Sequence, residues 1–520
     1  LDDIVIGGST FNPPSLFCQQ SNGKFIEKSF MQKKDSAYKK YSRDEGILLF
    51  DADGDNDLDL YVASGGFKYD YNNINYQDIL YINNGRGNYT KADGALPLNH
   101  TSKLCVKAFD YNKDGKPDLF VSGRVYPWQY PKPVSSVIYR NDSHDGKVKF
   151  TDVTAEVAPE LNNIGMVCDA LFSDFDNDQQ VDLILAGEWM PVTFFKNING
   201  KFKNVTAGTG IAAELGWWTS IVAGDFRHTG KTDYIVGNAG LNTLYQASEK
   251  YPVYITAKDF DNTGGYVAVP SIYLPALDGQ MKEFPSQGRD AVLEKIPFMK
   301  KRFNNYHSFA TATMDEVFTS DMQKDAIRLK ATNLQSCYLR NEGGGKFTII
   351  PLPGAAQVST LNGMITDDYD EDGNLDVLIN GNDYGPEVSV GRCDALNGLL
   401  LKGDGNGNFV PLSIQESGIY IPANGKALIK LLGPSGNYLV AASQYRGGLK
   451  LFEMRKKINP VRVNNTDAFA EIKYNNGRSE KVEFYHGDSF LSQSARFLYP
   501  GKNVVAISIT DSGGNRRTVK

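Results

Sequence analysis

One phrase recurs through the chain: a short apolar run, a nine-residue acidic loop, and a second apolar run ending in small residues. It first reads Ile47–Phe50, Asp51–Asp59 and Leu60–Gly66. It returns as Asp110–Asp118 before Leu119–Gly123, as Asp174–Asp182 before Leu183–Gly187, and as Asp368–Asp376 before Val377–Gly381. A copy at Asp225 keeps the frame and loses the middle acids. One at Asp259 lacks the ninth-position acid, and Leu431–Val440 keeps the apolar runs without any carboxylate. A second phrase of Asn and Gly followed by an aromatic closes many units, at 83–89, 199–202, 341–347 and 403–409. Asn and Gly tolerate positive φ, so these segments predict hairpin turns between third and fourth strands. The starts at 51, 110, 174 and 225 lie 59, 64 and 51 residues apart. Four short antiparallel strands with their loops occupy about that much chain, and radial repetition of such blades hides sheet edges. Seven units run from Asp51 onward, and an incomplete one spans Leu1–Ser29. The reading is an all-β propeller of seven or eight blades.

Composition narrows the partners. Apolar residues make up 41% of the 520 and charged residues 22%, enough to bury a large core. The formal charge of −6 argues against a nucleic-acid groove or an anionic membrane surface as the main partner. No apolar run reaches the roughly 18 residues of a transmembrane segment. Cys18, Cys105, Cys168, Cys337 and Cys393 are odd in number, scattered and without a CxxC pair, which predicts free thiols rather than disulfides or a zinc site. The chain opens without Met on Asp2–Gly8, a strand already under way, and reads as a mature product whose targeting segment has been removed.

Three or four carboxylates within nine residues repel one another unless a cation neutralises them. Hard oxygen ligands at alternate positions suit Ca²⁺. An EF-hand also begins D-x-D-x-D-G, but it needs a bidentate Glu at position twelve. Here position twelve is Val62, Val121, Leu185 or Ile379, and an Asp stands at position nine instead. Apolar β-branched residues follow, so the loop joins two strands rather than two helices. Arg227 or Lys231 is placed to neutralise the Asp225 loop internally.

These residues resemble the FG-GAP (VCBS) repeats of integrin-α-type β-propellers. In that family the loop between strands one and two holds calcium through positions one, three, five and nine and the carbonyl of position seven. The resemblance implies about four Ca²⁺ ions. Their side-chain ligands would be Asp51, Asp53, Asp55 and Asp59; Asp110, Asn112, Asp114 and Asp118; Asp174, Asp176, Asp178 and Asp182; and Asp368, Asp370, Asp372 and Asp376. The carbonyls would come from Asp57, Lys116, Gln180 and Asn374. Residues 456–520, with Gly487–Ser494 and Val504–Ile509, resemble an ASPIC/UnbV domain, although Thr510–Gly514 replaces the family's Trp-Pro-x-Gly turn. The whole chain is similar to exported repeat proteins of Bacteroidetes. This implies a propeller over 1–455 with a helical insertion at about 275–330, a small β domain over 456–520, and a periplasmic, cell-surface or extracellular location.

In a four-stranded blade the 1–2 and 3–4 loops share one face, and the 2–3 loops gather on the other. The long 2–3 loops carry Phe67, Tyr69, Tyr71 and Tyr76; Tyr126, Trp128 and Tyr130; Trp189; and Tyr384 with Glu387 and Arg392. Trp217 and Trp218 fall on the same face. Aromatic platforms with polar neighbours suit sugar rings or protein surfaces. Trp128, Tyr130, Trp189, Tyr384 and Arg392 are therefore the candidate ligand residues, expected on one partly accessible surface. Loop-against-loop packing is the plainer role for any one ring. A binding or adhesion module for a glycan or protein is the primary reading. A calcium-dependent lyase or glycosidase is the alternative, although no HExxH, GxSxG, P-loop or βαβ GxGxxG is present. Gly487–Leu491 mimics the start of a GDSL hydrolase block but lacks the late Asp-x-x-His.

Overall fold

The computed structural model describes residues 1–9, 12–28, 43–388 and 390–520. Phe11 and Ser29 of the N-terminal unit lie outside the described residues. The apolar runs flanking each acidic loop pair as antiparallel hairpins, and each resulting sheet takes the name of its loop. The Asp51 sheet pairs Arg43–Phe50, Asp59–Gly65, Ile79–Asn83 and Tyr89–Lys91 in chain order. The Asp110 sheet pairs Lys103–Phe109, Asp118–Gly123, Val137–Asn141 and Phe150–Asp152. The Asp174 sheet uses Met166–Ser173, Asp182–Pro191, Thr193–Ile198 and Lys201–Asn204. The Asp368 sheet uses Leu361–Asp367, Asp376–Gly381, Leu399–Gly403 and Phe409–Leu412. A last sheet has three strands, Gly425–Leu432, Asn437–Gln444 and Lys450–Lys457. Arg43–Phe50 alternates buried residues with more exposed ones, the period-two signature of a strand with one covered face. Met166–Ser173 is buried along its whole length, which fits its position between neighbouring sheets.

The first strands of the Asp51, Asp110, Asp174, Asp225, Asp368 and last sheets touch one another in that order. The N-terminal sheet, Ile4–Ile6, Ser15–Gln19 and Phe25–Lys28, packs on both ends of this series. Ile4 joins Leu431, Leu439 and Ala441 of the last sheet, and Leu16 and Cys18 join Leu60, Val62 and Tyr81 of the Asp51 sheet.

The Asp225 sheet corrects the repeat count. Its first two strands, Ser220–Gly224 and Asp233–Gly237, pair with Cys337–Gly343 and Lys346–Pro351, so about a hundred residues are inserted between strands two and three. The Asp259 phrase lies inside that insertion. It is the turn between Val253–Lys258 and Val267–Pro275 of a separate sheet completed by Met281–Pro285 and Ile327–Ala331. The helices Arg289–Lys295, Tyr306–Ala310, Met314–Val317 and Ser320–Gln323 follow in the same insertion. Gly288 occupies the N-cap position of the first.

Near the C-terminus, Ser479–Glu483, Asp467–Tyr474, Val504–Asp511 and Arg516–Thr518 form a sheet in that spatial order. Between its strands the chain runs from His486 to Ala495 along the first strands of the repeat sheets. Ala108 N donates to the His486 carbonyl, Lys107 Nζ to Ser489 O at 3.1 Å, and Met364 N to Ser489 Oγ at 3.2 Å. Leu49 N donates to Gln493 Oε1 at 3.0 Å, and Ala495 N to Lys430 O at 2.9 Å. Beneath this segment Lys107 pairs with Asp169 at 2.8 Å, both fully enclosed, and Asp169 Oδ2 accepts from Ile221 N. Ser489 is buried with its hydroxyl taken, so Gly487–Leu491 is a packing segment and not a nucleophile block.

Candidate functional site

Each acidic loop wraps around its first residue. Asp110 Oδ1 and Oδ2 accept Asp114 N and Gly115 N; Asp174 and Asp368 accept the amides of the corresponding residues, 178 and 179, and 372 and 373. Positions three and five accept the amide two residues on, as Asp53 does from Asp55 and Asp55 does from Asp57. The wrap requires left-handed backbone at positions four and six: Gly54 and Asn56, Lys113 and Gly115, Asn177 and Gln179, Glu371 and Gly373 all have positive φ. Gly and Asn take that conformation at little cost; Lys113, Gln179 and Glu371 do not, at roughly 1–2 kcal/mol each.

This geometry brings Asp51, Asp53 and Asp59 together, with one oxygen of each within 4.8 Å of the others, and does the same for Asp174, Asp176 and Asp182 and for Asp368, Asp370 and Asp376. These three clusters could hold a metal ion. The Asp110 loop has the same wrap, with Asn112 at position three, its Oδ1 accepting Asp114 N. The side chains at position seven turn elsewhere: Lys116 Nζ donates to Ser143 O at 2.7 Å, and Asn374 Oδ1 faces His228.

Position nine anchors the loop to the sheet. Oδ1 of Asp59, Asp118, Asp182 and Asp376 accepts the third-strand amides of Asn83, Asn141, Asn197 and Gly403 at 2.7–2.9 Å. The second oxygen of Asp118 and of Asp182 is buried with no hydrogen-bond partner among the described residues. Burial, opposed mainly by backbone donors, pushes Asp59 and Asp376 up to about 7, Asp118 to about 8 and Asp182 to about 9. The second oxygens of Asp59 and Asp376 accept Ala52 N and Tyr369 N, whereas those of Asp118 and Asp182 are open to a divalent cation, which hard oxygens suit. In the Asp225 loop the chain itself supplies a cation to position nine. Arg227, at position three, binds Asp233 at position nine through Nε and Nη2, and Lys231 turns away to Glu342 O.

The acidic loops also meet the C-terminal sheet. Lys481 Nζ lies 3.0 Å from Asp174 Oδ2, Ser512 Oγ donates to Asp110 Oδ2 at 3.0 Å, and Lys502 Nζ lies 2.6 Å from Glu371. Arg478 donates to Gly373 O at 2.9 Å. A cavity of about 220 Å³ lies between this sheet and the Asp225 and Asp368 loops, lined by Asp372, Tyr474, Arg478 and Glu480 among others. Local sequence carries no signal for these contacts.

On the opposite side, Trp128 is 61% exposed and meets Phe67 edge to face at 5.8 Å. Tyr71 stacks on Tyr126 at 4.2 Å. Tyr130 is 39% exposed; its hydroxyl donates to Glu188 and accepts from Trp189 Nε1 at 2.7 Å, and Arg124 pairs with the same Glu188. Trp189 departs from the sequence reading: it lies in the strand Asp182–Pro191, not in a long loop, and is only 7% exposed. It packs with Trp217 and with Val253, Ile255 and Ile272 of the insertion, which covers it. Arg392 lies over the Tyr384 ring at 4.9 Å, and the neighbouring Glu387 accepts from Gln287 of the insertion. The structure thus brings Tyr130 to Trp189 and Tyr384 to Arg392.

Fold and loops together define an all-β chain carrying FG-GAP-like repeats: the family model for the FG-GAP-like repeat matches residues 51–121 and 174–236. No curated protein matches the chain. Solved structures similar to it include the rhamnogalacturonan lyase YesW (10% identity, TM-score 0.31, 95% of this chain and 82% of that one). The exotype rhamnogalacturonan lyase YesX shares 12% identity at TM-score 0.24, over 98% of this chain and 76% of that one. A RAG complex with one melted and one unmelted RSS shares 11% identity at TM-score 0.29, over 85% of this chain and 96% of that one. Likenesses this distant carry no argument about function. Among the described residues, no helix is long and apolar enough to cross a membrane.

Proposed function

We propose that this chain is an exported, calcium-stabilised seven-bladed β-propeller with a docked C-terminal β domain, acting as a binding module for a glycan or protein ligand. The N-terminal sheet packing on both ends of the series of repeat sheets supports seven blades, with the Asp259 sheet left outside the ring. One contrast carries the calcium reading. Asp118 and Asp182 keep a buried oxygen with no partner, whereas the equivalent Asp233 is paired by Arg227. Calcium would be held by positions one, three, five and nine of the Asp51, Asp110, Asp174 and Asp368 loops, and extracellular modules bind it at about 10⁻⁴–10⁻³ M. That range fits a periplasmic, cell-surface or extracellular location.

Ligand binding belongs on the opposite face. Segment 486–495 occupies the centre of the first strands, so the ligand would meet the rim rather than a channel. The exposed Phe67, Tyr71, Trp128 and Tyr130 form an aromatic surface of the kind that a protein keeps for a partner. A glycan-cleaving enzyme is the second reading, favoured by the polar group of Arg124, Glu188 and Tyr130 on that face. A glycan and protein array with and without calcium tests both. Retention without cleavage supports the binding module, turnover moves the assignment to the enzyme, and no retention of any probe contradicts both.

A further inference from the structure

The Asp174 loop differs from the other acidic loops in its cations. Lys196, on the third strand, reaches Asp176 and lies 2.8 Å from Asp178 Oδ2. Lys481, from the C-terminal sheet, lies 3.0 Å from Asp174 Oδ2, 2.9 Å from Asn177 Oδ1 and 3.2 Å from Glu483 Oε1. Three of the four acidic side chains at positions one, three, five and nine therefore carry an ammonium. The fourth, Asp182, is 0% exposed and keeps one oxygen with no hydrogen-bond partner among the described residues. The lysines neutralise the outside of the loop and leave its inner carboxylate unanswered. Among the described residues, no Lys or Arg pairs with Asp51, Asp53, Asp55 or Asp59, which makes the Asp51 loop an internal reference.

We propose that calcium enters the Asp174 loop in competition with Lys196 and Lys481, so that filling this loop loosens the C-terminal domain from the ring. The proposal rests on the calcium reading above. A divalent ion and two ammonium groups sharing three carboxylates repel strongly at a few ångströms. Lys196 is partly solvent-exposed and can swing into water. Lys481 cannot swing freely: it is buried and held by Glu483, whose other oxygen accepts from Ser173 Oγ. Its retreat therefore pulls on the strand Ser479–Glu483 and on the contact between the two domains. Lys402 holds Asp372 at 3.0 Å in the same third-strand register, but among the described residues no lysine of the C-terminal sheet pairs with the carboxylates of that loop at positions one, three, five and nine. The Asp368 loop should compete with its lysine without the same effect on docking.

The test uses the metal-stripped full chain, titrated with calcium by calorimetry as wild type, Lys196→Met, Lys481→Met and Lys402→Met. Hydrogen exchange over residues 479–483 is followed with and without calcium. The expected result is one site tightened roughly tenfold in Lys196→Met and in Lys481→Met, with the gain lost when Asp182→Ala is added. In the wild type, calcium should speed exchange over 479–483 severalfold. If Lys481→Met fails to fold, Lys196→Met and the wild-type exchange data decide alone. Four ions bound with affinities unchanged in the lysine variants, or exchange over 479–483 unmoved by calcium, overturns this proposal and leaves the calcium reading standing. A wild-type chain that takes up no calcium overturns both.

Discussion

Arg227 lies against Asp233 with Nε 3.1 Å from Oδ2 and Nη2 2.9 Å from Oδ1, placing a cation inside a loop of the same frame as the four acidic ones. Where position three is Arg, the ninth-position carboxylate is paired; where it is Asn112 or Asp176, that carboxylate keeps an unanswered oxygen. Replacing Arg227 with Met should therefore destabilise the fold by about 3–5 kcal/mol, as breaking a buried pair does. The loss should be the same in calcium and in chelator, read as equal drops in melting temperature.

Asp182→Ala should behave in the opposite way. In chelator it removes a buried carboxylate with an unsatisfied oxygen but also the acceptor of Asn197 N, two opposed effects, so the melting temperature should change little. In calcium it removes one ion and the linked stabilisation, about 2.7 kcal/mol at ~100 Kd. Metal counting on the variant should find one ion fewer than wild type, with the rest retained.

The two tryptophans of the aromatic face should separate. Trp128 is 61% exposed, so Trp128→Ala should leave stability within about 0.5 kcal/mol while weakening ligand retention. Trp189 is buried beneath the insertion, and Trp189→Ala should cost about 3–5 kcal/mol. Denaturant melts of both variants, beside the array assay, check the difference.

His486 gives a pH signature. Burial first, and the Arg496 charge second, lower its imidazole to about 3, well below the ordinary value near 6.5. The unfolded chain therefore binds a proton that the folded one refuses. This contribution to stability is full above pH 6.5 and is lost as pH falls toward 3. Stability of the wild type minus that of His486→Gln, measured from pH 7 to pH 4, should shrink across that window.

The acidic loops and their hairpins were legible because the chemistry is local: the wrap needs left-handed residues at positions four and six, and the sequence places Gly or Asn at most of them. The placing of the Asp259 phrase inside an insertion was not. Asp259 begins a similar phrase, but Val267 stands at position nine, where the repeat sheets have an acid that accepts a third-strand amide. In the repeat sheets that bond ties loop to sheet, as Asp233 does with Asn341 at 2.7 Å across the whole insertion. The missing acid was visible in the sequence, and the long insertion was not. Nor could local pattern show that 486–495 runs along the first strands, since Leu49 meets Gln493 and Lys107 meets Ser489 across hundreds of residues. Trp189 misled for a related reason, because what buries it is the inserted sheet.

Calcium in the acidic loops is the central claim, and thermal melting of metal-stripped full chain, paired with metal analysis, tests it most directly. In millimolar calcium the account predicts about four bound ions and a melting temperature well above that in excess chelator. Superimposable melting curves in the two conditions, with no calcium retained, would contradict it.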